Sequence, residues 1–218
     1  MRRVMSLFIL IMLVQLSFPS AGRAQDPPPR IPRVTIDIRG TVPKFSTEQQ
    51  LADSRGIPQA ELPGRGLGAD VGLHFYLLKW KAITFGLGGQ LTFARGVTSP
   101  QPAGAGAAAI QGLTERFTSV TPQLSFNFGD GDGWSYISGG IGPAQRTLVP
   151  LGGEISEIDE LRLRTLNYGG GARWFIKPHL AFTLDVRFHQ IDPTEGFFGL
   201  PGSPRSTLLI IGAGVSFK

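Results

Sequence analysis

The three histidines are the first residues to consider for chemistry, because histidine is the commonest general base near neutral pH. They are His74, His179 and His189. His189 is the best candidate for a base, since Asp192 and Glu195 follow it closely. Hydrolysis of the Ser-His-acid type also needs a nucleophile within reach of the base. The sequence shows no such set, and we therefore predict that the chain is not an enzyme.

A second group of polar residues recurs at alternate positions of extended segments, with apolar residues between them. Two interpretations are open for these side chains. They pair into a buried hydrogen-bonded and ionic network, because isolated buried charges are costly, or they line a narrow conduit for ions or small solutes. The ten residues are Asp37, Arg39, Asp70, His74, Gln90, Gln123, Asn127, Arg173, Asp185 and Arg187.

Four acids lie close together in a polar stretch at residues 148–163, and such a group could bind Ca²⁺. Their spacing differs from that of a calcium-binding loop, which favours a solvated acidic loop instead. The sequence has no cysteine, which excludes disulfides and thiolate chemistry. We therefore expect no metal site and no cofactor. The four acids are Glu154, Glu157, Asp159 and Glu160.

The elements that must position these side chains are strands of strict polar and apolar alternation. Residues 165–191 show the pattern most clearly, as two segments of about ten residues joined by a short Lys-Pro-His turn. In the second segment Leu184 faces one side, while Asp185 and Arg187 face the other. Such a hairpin fits a soluble sheet with one wet face. It also fits a membrane barrel that is apolar outside and polar inside.

Eight such segments follow one another between residues 34 and 218, and their connections alternate between long and short. A soluble sandwich has no reason to sort its loops in this way, whereas an outer-membrane barrel has short periplasmic turns and long outer loops. A soluble eight-stranded barrel would also need polar outward faces, and these faces are rich in Leu, Ile, Val and Phe. We therefore predict an all-β fold: a single closed antiparallel eight-stranded up-and-down transmembrane β-barrel. The predicted long loops are 41–66, 96–114, 148–163 and 192–206.

Aromatic residues concentrate near the short turns and the C-terminus, which predicts a girdle at the periplasmic interface. An outward arginine costs roughly 2–4 kcal/mol at the middle of a bilayer but only about 0–1 kcal/mol near its edge. Arg173 and Arg187 must therefore point inward, whereas Arg95 is tolerated on the outward face at the outer rim. The predicted girdle consists of Trp80, Phe85, Phe126, Phe128, Trp134, Trp174, Phe182 and Phe217.

Residues 1–24 are predicted to be a signal peptide, with two early arginines, an apolar run from Leu7 to Leu16 and small residues before a cleavage site. The run is too short for a spanning helix of roughly 20 residues. Residues 25–33 form a proline-rich periplasmic leader, and 34–218 form the barrel. The formal charge is +5, but the first 24 residues hold three arginines and no acid, which leaves +2. A net charge so close to zero gives no reason to propose nucleic acid as a partner.

The segment GGGARWFIKPHLAFTLDVRF at 169–188 resembles the glycine-rich strand, proline-bearing turn and acid–arginine strand of small outer-membrane β-barrel domains of the OmpA/OmpX kind. The closing strand, which ends in Phe217, resembles their C-terminal aromatic signal. The resemblance covers roughly residues 34–218. It implies a location in the bacterial outer membrane. It also implies membrane lipid, lipopolysaccharide and the barrel-assembly machinery as partners. No peptidoglycan-binding domain follows, so an anchoring role is not implied.

An eight-stranded barrel is just wide enough for side chains to fill, which favours the buried network over the conduit. Inward glycines reduce this filling and are expected to leave water-sized gaps. We predict an integral outer-membrane protein with a plugged polar lumen and a structural or surface-interaction role, with extracellular ligands bound by its four long loops. The first alternative is a narrow porin-like channel. The second, less favoured, is a lipid-modifying outer-membrane enzyme.

Overall fold

The computed structural model describes residues 33–103, 109–129, 133–155, 159, 161–196 and 199–218. In this part of the chain, eight antiparallel strands each pair with their sequence neighbours, and β1 pairs with β8 to close a barrel. The predicted fold class is confirmed. The strands are β1 (Val34–Lys44), β2 (Gly66–Trp80), β3 (Ile83–Thr98), β4 (Leu113–Phe128), β5 (Gly133–Pro150), β6 (Leu163–Lys177), β7 (Leu180–Ile191) and β8 (Ser206–Phe217).

The first long connection carries a short helix, α1 (Gln49–Asp53), and a 3-10 turn (Gln59–Glu61). Among the described residues, no helix has the length and apolar character needed to cross a membrane. The predicted signal peptide and all of the leader except Arg33 lie outside the described residues.

The connections alternate between long and short as the sequence predicts. The strands extend somewhat further than the pattern indicates. β1 continues to Lys44, because β8 supplies pairing partners as far as Leu209. β5 continues to Pro150, which pairs with Leu113 of β4. The long loops are therefore shorter than expected, and paired strands rise above the apolar band.

Burial in the strands alternates with a period of two, as in β1, where every second residue is buried. The exposed positions are apolar: Ile38 is 48% exposed, Leu124 55% and Ile141 55%. The buried positions are polar or charged, as with Asp37 and Arg173, each 0% exposed. This arrangement suits a barrel whose outside is covered by lipid and whose inside holds the ionic groups.

Seven of the eight predicted girdle residues lie on the outward side of their strands, near the short turns or the C-terminus. Phe85 and Phe126 meet edge-on at 5.3 Å between ring centroids, and Trp174 stacks on Phe182 at 6.0 Å. That they form an interfacial girdle stays a prediction. The seven are Trp80, Phe85, Phe126, Phe128, Trp174, Phe182 and Phe217.

The placement of Trp134 in the girdle is wrong, since this residue is 2% exposed and lies inside the barrel. The reason is the phase of β5, in which Trp134 shares the inward face with Tyr136. The Trp134 ring lies 4.8 Å from that of Phe175 and 6.4 Å from that of Tyr76. These rings fill the periplasmic end of the lumen.

The outer end of the barrel is covered by the first long connection. Leu51 and Ala52 of α1 are fully buried and cluster with Leu62. The same cluster contains Leu113 and Leu148, which lie at the outer ends of β4 and β5. The helix therefore closes the mouth by placing its apolar side on the upper edge of the wall.

The lipid-facing side of the wall can be tested by moving one charge to two depths. Ile211 is 52% exposed and lies six residues from Phe217, about 15 Å above it along tilted strands. We expect Ile211→Arg to lower the free energy of unfolding by roughly 2–4 kcal/mol in phospholipid vesicles. Thr207→Arg, four residues nearer the outer rim on the same strand and opposite Gln190, serves as the control and should cost about 0–1 kcal/mol. Equal costs at both positions would contradict the assignment of this face to lipid.

Candidate functional site

The centre of the lumen is built around Asp37 of β1 and Arg173 of β6. The guanidinium donates through Nε to Oδ1 at 2.9 Å and through Nη2 to Oδ2 at 2.6 Å. Ser216 of β8 donates its hydroxyl to the same carboxylate. A bidentate pair of this kind fixes both orientation and charge. It also braces the barrel across its interior, since β1 and β6 are not neighbours.

Two further ion pairs lie in the lumen. Arg39 contacts Asp70 Oδ1 through Nη2 at 2.6 Å and through Nε at 2.8 Å. Arg187 Nε lies 2.8 Å from Asp185 Oδ1. The middle of the lumen therefore holds three aspartates and three arginines, none more than 3% exposed, and its formal charge is balanced.

Tyr136 connects these pairs. Its hydroxyl accepts from Arg39 Nη1 at 3.1 Å and donates to Asp185 Oδ2 at 2.5 Å. The Arg173 guanidinium lies over its ring, 4.1 Å from the centroid. The sequence places Tyr136 on the inward face but does not mark it as a network residue. A tyrosine on an alternating strand makes apolar contacts as commonly as hydrogen-bonded ones.

Amide and hydroxyl side chains extend the network in both directions. Towards the periplasm, Arg173 Nη1 donates to Asn127 Oδ1 at 3.2 Å and to the Tyr76 hydroxyl at 3.3 Å. On the side formed by β2–β4, Gln123 Nε2 donates to Gln90 Oε1 at 2.9 Å, and His74 Nε2 lies 3.3 Å from Gln123 Oε1. All ten polar residues singled out in the sequence are thus buried inside the barrel, and each joins this set of contacts.

The inward glycines make room for large rings. A Cβ at Gly86 would lie 2.6 Å from the ring of Tyr76, and one at Gly88 would lie 2.5 Å from the ring of His74. The expected gaps at these two positions are therefore occupied by aromatic side chains. The expectation of gaps is corrected at these two positions. The sequence pattern does not show which side chain of a neighbouring strand lies against a glycine.

A separate ion pair lies nearer the outer end and was not predicted. Arg146 of β5 contacts Glu115 of β4 at 2.6 Å and donates through Nη1 to the Ser206 hydroxyl at 2.9 Å. Both charged residues are 5% exposed or less. Both residues continue the inward phase of their strands, so alternation could have indicated them. The sequence pattern did not define the outer ends of β4 and β5, and the pair was therefore missed.

His189, the candidate base, is fully buried. Its ring meets Phe117 edge-on at 5.1 Å, and its Nε2 lies 3.4 Å from Asn167 Nδ2. The acids that follow it in sequence do not join it. Asp192 pairs with Arg164 at the surface at 2.8 Å, and Glu195 is exposed.

The other two histidines are also placed without a nucleophile. His74 belongs to the lumen network, and His179 lies exposed in its turn, where its carbonyl accepts the backbone N–H of Lys218 at 3.2 Å. The described residues therefore bring no base, nucleophile and orienting acid together at an accessible point.

The long connections are fastened to one another by Arg55, which follows α1. Arg55 Nη2 lies 3.0 Å from Asp159 Oδ1, and its Nη1 donates to the Ser203 hydroxyl at 2.7 Å. Asp159 Oδ2 also accepts the backbone N–H of Leu148 at 3.0 Å. These contacts, which we call the loop clasp (Arg55, Asp159 and Ser203), join the first, third and fourth long connections.

Burial governs the electrostatics of the loop clasp. It raises the pKa of the Asp159 carboxyl, against the opposing effects of the Leu148 amide and Arg55. It lowers the pKa of Arg55, against the attraction of Asp159. Each charge therefore depends on the other for its stabilisation. Of the remaining acids in this predicted loop, Glu154 is exposed, and Glu157 and Glu160 lie outside the described residues.

The chain is similar to solved structures of low sequence identity. Neisserial surface protein A is 12% identical, with 86% of this chain and 97% of that chain covered and a TM-score of 0.55. Ail of Yersinia pestis, solved in complex with the heparin analogue sucrose octasulfate, is 12% identical over 84% of this chain and 96% of that chain, with a TM-score of 0.46. The outer membrane enzyme PagL is 12% identical over 85% and 99%, with a TM-score of 0.42. No protein-family model matches the sequence, and neither does any curated protein.

The chain is an eight-stranded outer-membrane β-barrel. The predicted resemblance to small outer-membrane barrel domains is confirmed at the level of the fold, and the bacterial outer membrane is its location. A closed barrel pairs every strand edge, which hydrocarbon surroundings demand. The fold alone does not assign a role.

The central ion pair can be tested by a double-mutant cycle. We expect Arg173→Met to lower the free energy of unfolding by about 3–5 kcal/mol, because it leaves the Asp37 charge buried without its bidentate partner. Asp37→Asn combined with Arg173→Met should cost less than the sum of the single changes. Arg164→Met is the control, because its pair with Asp192 is 71% exposed on the arginine side and should contribute about 0–1 kcal/mol. Additive costs for Asp37 and Arg173 would contradict the coupling.

The loop clasp can be tested by limited trypsin digestion of the folded protein. Asp159→Asn removes the charge that holds Arg55, and a charged hydrogen bond contributes about 1.5–3 kcal/mol. We therefore expect cleavage after Arg55 to become about tenfold faster, measured by mass spectrometry. Glu154→Gln, an exposed acid of the same loop, should leave the rate unchanged. If both variants were cleaved like the wild-type protein, the clasp would not hold the loops.

Proposed function

We propose that this protein has a structural or surface-interaction role in the outer membrane and that its lumen does not conduct. The observation that carries the proposal is the neutral network of three aspartates and three arginines across the middle of the barrel. Moving a solute through it would require separating buried ion pairs, and leaving one partner unpaired costs about 3–5 kcal/mol. The lumen is therefore filled, and the surface available for function is the outside of the barrel.

Both ends of the lumen support the same proposal. Trp134 and Phe175 occupy the periplasmic end. At the outer end, Phe45, Phe117 and Leu208 pack in one buried cluster. The cap of α1 above it is held by the loop clasp. A solute would thus meet three consecutive obstructions.

The long connections are the parts available to extracellular partners. Several of their described apolar side chains are exposed, among them Leu151 at 46%, Ile155 at 51% and Leu161 at 48%. Apolar side chains that are open to water on an outer surface favour contact with another macromolecule. These residues support a surface-interaction role. The proposal also includes outer-membrane lipid and lipopolysaccharide around the wall, and the barrel-assembly machinery as the route of insertion.

Conductance in planar bilayers tests the proposal against the narrow-channel alternative. We expect no unitary currents from the wild-type protein under an applied potential. A porin of known conductance, reconstituted in parallel, shows that insertion and detection work. Folding is checked by the mobility difference between boiled and unboiled samples. Reproducible wild-type currents that change with Asp185→Asn would overturn the proposal.

A further inference from the structure

The outer rim of the barrel carries a row of cations on its outward face. Lys44 ends β1, Arg65 immediately precedes β2, and Arg95 and Arg116 lie on β3 and β4. All four are exposed, and each continues the outward phase of its strand. We call these four residues the cationic row.

Members of the cationic row are direct cross-strand neighbours. Lys44 bridges to Arg65, and Arg95 pairs with Arg116. Like charges placed opposite each other across strands are destabilising. Within the described part of the chain, none of the four forms an ion pair with an acid. The fold therefore maintains a concentration of positive charge that the described residues do not neutralise.

The opposite side of the rim is arranged differently. Arg164 of β6 pairs with Asp192 at 2.8 Å, and Arg205, just before β8, lies 3.7 Å from the same carboxylate. Both arginines are exposed. Two exposed arginines on that side thus share an acid. In the described part of the chain the cationic row on the β1–β4 side has no such acid, which favours a counter-charge from outside the chain.

The height of the cationic row identifies the source of that charge. Arg95 lies ten residues above Phe85 on β3, which corresponds to about 25 Å along a tilted strand. The apolar band of an outer-membrane barrel is also about 25 Å tall. The row therefore lies where the hydrocarbon of the outer leaflet ends and the lipid headgroups begin.

The wall below the row carries two shallow, open grooves. A groove of about 390 Å³ lies beside Arg95 and Arg116 and is lined by Leu67, Ala69 and Phe93. A second groove of about 600 Å³ lies beneath it, between Val71, Leu91 and Val120. The two are successive levels of one surface, because Ala69 and Phe93 pair directly above Val71 and Leu91.

A small residue creates the lower groove. Gly89 lies on the outward face of β3, between Leu73 of β2 and Pro122 of β4. It lies six residues below Arg95, about 15 Å towards the periplasm. This distance corresponds to the reach of an acyl chain whose headgroup is at the row, since one leaflet is about half of a 30 Å hydrocarbon core.

We propose that the β1–β4 face binds a phosphate-bearing lipid of the outer leaflet, with its phosphates on the cationic row and an acyl chain along the two grooves. The four cations span three inter-strand spacings, about 15 Å, which is wider than one phosphate. The occupant is therefore a lipid with two phosphates, the chemistry of the lipid anchor of lipopolysaccharide. This site is independent of whether the lumen conducts.

The test measures retention of defined lipids by the folded protein in phospholipid nanodiscs. The lipids are bisphosphorylated lipid A and its chemically dephosphorylated form, detected by native mass spectrometry. We expect the wild-type protein to retain the bisphosphorylated form preferentially. Arg95→Gln with Arg116→Gln should weaken retention by about tenfold or more, because each basic residue near an anionic lipid surface contributes substantially. Higher salt should weaken it further.

Two matched variants separate charge from structure. Arg164→Gln with Arg205→Gln removes the same number of charges from the opposite rim and should leave retention unchanged. Arg95→Lys with Arg116→Lys keeps the charge and should preserve most of the retention. Gel mobility before and after boiling confirms folding of every variant. Equal loss from both rims, equal retention of the dephosphorylated lipid, or no effect of Arg95→Gln with Arg116→Gln would each overturn the proposal.

Discussion

Charge balance inside a narrow lumen is the constraint on which this structure depends. With lipid outside, an arginine on a barrel strand must point inward at mid-membrane, and once inside it must meet a carboxylate. Arg173 meets Asp37 across the barrel, and Arg39 meets Asp70 on the neighbouring strand. Tyr136 connects the pairs. The interior is therefore held by ionic and hydrogen-bonded contacts where a soluble protein would have an apolar core.

The proposed role at the outer surface follows from the same constraint. A network that must remain complete leaves little freedom for solute passage, and aromatic rings and a helical cap obstruct the two ends. The parts of the chain free to vary are the long connections and the outward wall. Fold likeness at 12% identity does not choose among the roles that this architecture supports. The choice rests on the particular side chains of the loops and rim.

The outward wall is not uniform around the barrel. Exposed arginines near β6 and β8 share Asp192, whereas those of β3 and β4 face each other without an acid among the described residues. Gly89 adds a depression in the wall below them. A barrel can present different surfaces to lipid in different directions, because outward side chains do not take part in closing the lumen and are constrained mainly by depth in the membrane.

Alternation in the sequence by itself determined the strand number, the sorting of long and short connections, and the side on which residues such as Asp37 and Arg187 lie. A period of two has only two phases, and the cost of an arginine in lipid selects one of them. The tertiary structure alone decided that Asp37 meets Arg173, that Trp134 closes the lumen, that a ring covers Gly86, and that Arg55 fastens the loops to Asp159. Asp37 and Arg173 are 136 positions apart in the chain. Partners so distant are chosen by barrel closure and strand register, which no local pattern encodes.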